Sequence, residues 1–84
     1  MLTPTIHLGG DRREQLQDDA CDAILAVQDA IRTLAKIAPN GRNYYPQGPH
    51  AIEDATTDYR GMVAKLESVQ SEIDDLAIAI CDAA

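Results

Sequence analysis

The residues with chemistry to offer are concentrated in one stretch, "GRNYYPQGPH", positions 41 to 50. Tyr44 and Tyr45 supply flat aromatic faces for stacking. Asn43 and Gln47 supply amide donors and acceptors, Arg42 a guanidinium for phosphate, and His50 a further edge contact. Together these are the parts a small anionic, nucleotide-like ligand requires. Pro46 and Pro49 restrict the segment and lower the cost of ordering it around a ligand. Arg32, Lys36 and Arg60 are additional cationic candidates near this end. A plainer reading stays open: the tyrosine pair plugs the end of a helical bundle, and Arg32 and Lys36 only complement a helix C-terminus.

Nothing in the chain has the spacing of a catalytic centre. There is no nucleophile–base–acid set, no glycine-rich phosphate loop and no His-x-x-x-His on a helix. His7 and His50 lie far apart, so no metal site is expected. The expectation is a protein that binds without catalysing and holds no cofactor.

The elements that must position this stretch follow from periodicity. Residues 1–10 form a short arm with Leu2, Ile6 and Leu8, ended by Gly9-Gly10. Asp11 and Glu14 have capping-box spacing, so a first helix is predicted over 12–38. Its apolar stripe is Leu16, Ala20, Ala23/Ile24, Val27, Ile31, Leu34 and Ala38, in alternating steps of three and four. Pro39 and Asn40-Gly41 stop it. A loop over 39–48 follows. Pro49 then opens a second helix over 49–82, with Ile52, Ala55, Tyr59, Met62/Val63, Leu66, Val69, Ile73, Leu76 and Ile80 on one face. Gly61 inside it marks either a tolerated surface glycine or a close approach by another group. The predicted fold is all-α: one domain, 1–84, an antiparallel helical hairpin with an N-terminal arm. In that hairpin Cys21 and Cys81 would lie roughly 20 Å apart along the axis, too far to join. They are read as small apolar residues of a reduced, cytoplasmic protein.

Composition then argues for company. The chain has 84 residues, no Trp and no Phe. An alanine-rich seam between two helices offers little area at roughly 25 cal/mol per Å². Small single-core chains of this kind need a staple or a partner. A homo-oligomeric bundle is expected, with subunit number open. The net charge of −7 excludes simple binding to nucleic acid backbones. No segment has the roughly 20 apolar residues of a membrane span. Folded as a hairpin, the loop half balances Arg32, Lys36, Arg42 and Arg60 against four acids. The excess negative charge falls at the open end, which includes Asp18, Asp19, Asp22, Glu72, Asp74 and Asp75.

An arm, a helix ending in "APNGR", the loop "NYYPQGP" and a second helix resemble small accessory proteins of tailed phages and prophages. That resemblance implies counter-defence. Some such proteins are oligomeric sponges for cyclic nucleotide or ADP-ribose signals, and others are acidic inhibitors of CRISPR effectors. It brings no catalytic residues with it. The leading expectation is a sequestering protein for a nucleotide-like immune signal in the host bacterial cytoplasm. The alternatives are an acidic, DNA-mimicking inhibitor that presents the open end to a basic effector protein, or a structural assembly module.

Overall fold

A computed structural model describes Leu2 and residues 10–82 of the chain, apart from the side chains of residues 10, 11, 41 and 45. All regular structure among these residues is helical. Helix α1 spans Gly10–Leu34 and runs into a 3-10 turn, Ala35–Ile37. A one-turn helix α2, Gly41–Tyr44, leads into a second 3-10 turn, Tyr45–Gln47. Helix α3 spans Ala51–Asp82. The fold class is therefore all-α, and α1 packs against α3.

Each boundary has a local cause. Helix α1 begins at Gly10, which puts Asp11 inside its first turn rather than at its cap; the Asp11 side chain and Ile6, His7 and Leu8 lie outside the described residues. An acid in the first turn suits the positive end of the helix dipole. At the other end the predicted helix reaches residue 38, whereas α1 stops at Leu34. Pro39 forces Ala38 out of helical geometry, to φ −56° and ψ 136°. The strain reaches back one turn: the Ala38 N–H donates to the Ala35 carbonyl at 3.2 Å, three residues away rather than four.

The second helix starts later than proline placement suggests. Gly48 has φ 113°, a conformation open only to glycine at low cost. It turns the chain toward α3, and the Ala51 N–H then donates to the Gly48 carbonyl at 3.4 Å. Pro49 thus falls in the turn before α3, not in its first turn. The first α-helical bond runs from the Asp54 N–H to the His50 carbonyl, 3.0 Å. Glu53 and Asp54 again place acids at the helix start.

Packing follows the predicted stripes with informative departures. Leu16, Ile24, Val27, Ile31 and Leu34 are half-buried on α1, and Tyr59, Val63, Leu66, Ile73 and Leu76 on α3. Gln70 also enters the seam, while Ala23 and the predicted Met62 and Val69 stand exposed. The burial is shallow. Among the described residues only Ala20 and Ile80 are buried apolar side chains, at 8% and 2% exposure. Leu25, Ile37 and Ile78 are each at least 60% exposed, and Leu2 is 94% exposed. Cys21 and Cys81 are free and face outward, because each follows a buried residue by one position and so falls off the stripe.

The molecule measures 60 × 20 × 11 Å and exposes 6339 Å². The thin profile fits two helices lying side by side, one helix deep.

A Cβ added at Gly61 would meet nothing within 4 Å. Gly61→Ala is therefore expected to stabilise the fold by about 1 kcal/mol and raise the melting temperature by about 4–8 °C. Gly48→Ala should destabilise it by about 1–3 kcal/mol because of the positive φ. Thermal unfolding followed by circular dichroism measures both.

Candidate functional site

The linker does not lie idle between the helices. It folds back on the first three turns of α3 and makes an open groove of about 750 Å³. Ile37, Pro39, Tyr44 and Gln47 form its linker wall. His50, Asp54, Asp58, Tyr59 and Met62 form its α3 wall, over a floor that includes Ala51 and Ala55.

Local sequence fixes each wall. Asn40 caps α2 twice: its Oδ1 accepts from the Asn43 N–H at 3.1 Å and its backbone carbonyl from the same group at 3.2 Å. That single turn carries the half-buried Tyr44 into the groove. The 3-10 turn then delivers Gln47, and Gly48 turns the chain into α3. On α3, Asp54 and Asp58 are four residues apart and share one face. Ala51, Ala55, Tyr59 and Met62 continue it at steps of three and four.

Two further polar groups here are already engaged. Thr56 and Thr57 donate their hydroxyls to the carbonyls of Ile52 and Glu53, at 2.7 and 3.1 Å. His50 Nδ1 lies 3.4 Å from Glu53 Oε2, with both side chains exposed, so this pair steers the imidazole without burying it.

The structure divides the residues the sequence nominated. Tyr44, Gln47 and His50 meet in the groove. Arg42 and Asn43 line a separate shallow recess beside Asn40. Arg60 lines another, with Ile52, Glu53, Thr56 and Thr57. Arg32 is exposed and paired with Asp29 at 3.3 Å, one turn back on its own helix. Lys36 is exposed on the 3-10 turn that ends α1, and the Tyr45 side chain lies outside the described residues. The acids of the alternative reading, Asp18, Asp19, Asp22, Glu72, Asp74 and Asp75, are all exposed.

The groove residues sequence reasoning passed over are Asp54, Asp58 and Tyr59. Tyr59 belongs to the seam stripe as well as to the groove. The available signal was the Asp-x-x-x-Asp spacing one step off the apolar stripe, in the turns nearest the linker. Among the described residues the lining has two carboxylates, two phenol rings, an imidazole and an amide, and no lysine or arginine. Such a surface attracts positive charge and flat rings.

Among the described residues, no three His, Cys, Asp or Glu side chains converge on a possible metal position. No described helix is long and apolar enough to cross a membrane. Comparison with known proteins gives no match: no family model fits the chain, and no curated protein or solved structure shows significant similarity to it.

Asn40 is the fastening of the linker wall. Asn40→Ala should cost about 1 kcal/mol locally and loosen Tyr44. Amide hydrogen exchange across residues 41–47 should accelerate while exchange in the middle of α3 is unchanged.

Proposed function

We propose that this protein is a non-catalytic binding module, an antiparallel helical hairpin that works as a self-associated assembly and holds a small organic cation in its linker groove. The carrying observation is the convergence of Tyr44 and Tyr59 with Asp54 and Asp58 in one groove that, among the described residues, no lysine or arginine lines. Aromatic faces attract an ammonium or guanidinium group by about 0.5–2 kcal/mol each, and carboxylates accept its N–H donors.

The antiparallel arrangement is supported by two observations. Ile37 and Pro39, just past the end of α1, share the groove with the start of α3. Placed end to end, α1 and α3 would extend roughly 85 Å at 1.5 Å per residue, against a longest dimension of 60 Å.

A second reading is the nucleotide-like immune signal implied by the phage resemblance. The flat tyrosines and Gln47 favour it. A base stacked in the groove would donate its amino and imino hydrogens to Asp54 and Asp58. Its phosphates would then have to leave the groove and reach Arg42. Asp54 and Asp58 oppose any phosphate that stays inside.

The two readings part in a thermal-shift screen that includes agmatine and spermidine on one side and cyclic dinucleotides and cyclic ADP-ribose isomers on the other. The expected result is stabilisation by the cations, growing with the logarithm of their concentration. Asp54→Asn with Asp58→Asn should abolish it, and Tyr44→Ala should weaken affinity about tenfold or more. Stabilisation by the nucleotides alone, lost in Arg42→Ala, selects the second reading. A shift from neither set rejects both.

A further inference from the structure

The α3 wall of the linker groove changes character along its length. Asp54, Asp58 and Met62 follow one another at steps of four residues. They form a single row on the helix, each about 6 Å further along the axis than the last. The neighbouring row, at the same step, is Ala51, Ala55 and Tyr59. Small side chains therefore flank the two carboxylates, and a phenol ring flanks the thioether. Nearest the start of α3 the wall is acidic and roomy; at its far end it is apolar. Three residues past Met62 the sign of the charge changes, at the exposed Lys65. The linker wall adds apolar surface at Ile37 and Pro39. Ile37 is 68% exposed and Met62 42% exposed, so open apolar surface lies in the same groove as the carboxylates.

We infer that the groove selects a primary amine with one positive charge and an apolar tail, its ammonium at Asp54 and Asp58 and its tail over Tyr59 and Met62, an inference that rests on the cation-binding function proposed above. The two carboxylates accept the N–H donors of an ammonium, and Ala51 and Ala55 leave room for it. A tail laid over Met62 and the open part of Ile37 takes apolar area out of water, which a wholly polar cation cannot do. Met62 suits the task, because an unbranched thioether adapts to tails of different shape. A second ammonium at the far end of the ligand is disfavoured twice. It loses water against an apolar lining, and it approaches the like charge of Lys65. Linear diamines therefore bind less tightly than an amine of equal length that ends in a methyl group.

Heptylamine and hexamethylenediamine have equal numbers of heavy atoms and differ only in ending on a methyl or an ammonium group. Calorimetric titration of the intact protein near neutral pH should show heptylamine binding about fivefold or more tightly than the diamine. From butylamine to heptylamine, affinity should rise about two- to threefold per methylene. Asp54→Asn with Asp58→Asn should abolish binding of both, which separates the groove from adsorption elsewhere. Met62→Gln, a helix-compatible change at an exposed position, should level the two ligands with helicity retained by circular dichroism. If Met62→Gln fails to fold, Ile37→Gln tests the same apolar lining from the linker wall. A diamine that binds as tightly as heptylamine or more so overturns the inference and leaves the cation site standing. Heptylamine binding that persists without the two carboxylates overturns it, and so does a heptylamine preference unmoved by Met62→Gln or, where that variant does not fold, by Ile37→Gln. If agmatine binds and neither of these amines does, the inference alone falls. If no amine binds, agmatine included, the proposed function falls with it.

Discussion

Everything in this molecule depends on a seam between two helices that is long but thin. Helix α1 contributes mainly Leu16, Ala20, Ile24, Val27, Ile31 and Leu34, and α3 answers with Tyr59, Val63, Leu66, Ile73 and Leu76. Two helices can touch along only one line, so each side chain is covered on one side and open on the other. That is why so few apolar residues are fully buried and why a glutamine, Gln70, is tolerated in the seam. Ordering each residue costs about 1–2 kcal/mol in backbone entropy, and a one-layer contact recovers little of it.

The same shortage explains the linker. Residues between the helices are not spared from packing; they add walls the helix pair lacks. Pro39 ends α1, Asn40 starts a single helical turn, and Gly48 supplies the one backbone conformation that lets the chain re-enter α3. The result sets Tyr44 over the first turns of α3, opposite Tyr59. Charge then decides what such a hollow prefers. Asp54 and Asp58 sit inside it, while Arg42 and Arg60 face other directions. Residues a few positions apart in the chain thereby end in different electrostatic surroundings, and the groove is more acidic than the composition of the linker alone implies.

The helices were legible in the amino-acid sequence because their signal is local: steps of three and four residues, a proline that forbids continuation, a glycine that permits a reversal. Pro39 marked the end of the first helix but not the 3-10 turn it forces on Ala35–Ile37, since that depends on how far one misfit propagates through hydrogen bonds. The interest of the "GRNYYPQGPH" stretch was visible from residue types alone. Its division into a groove with Tyr44, Gln47 and His50 and a separate recess with Arg42 and Asn43 was not, because a one-turn helix sends successive side chains in directions about 100° apart. Asp54, Asp58 and Tyr59 joined the groove only when the linker folded back on them. Sequence periodicity determines which faces are apolar, because each residue's place around a helix follows from its number. Which face meets a neighbour, and which charges share one hollow, was decided by tertiary structure, because those depend on where a distant part of the chain comes to rest.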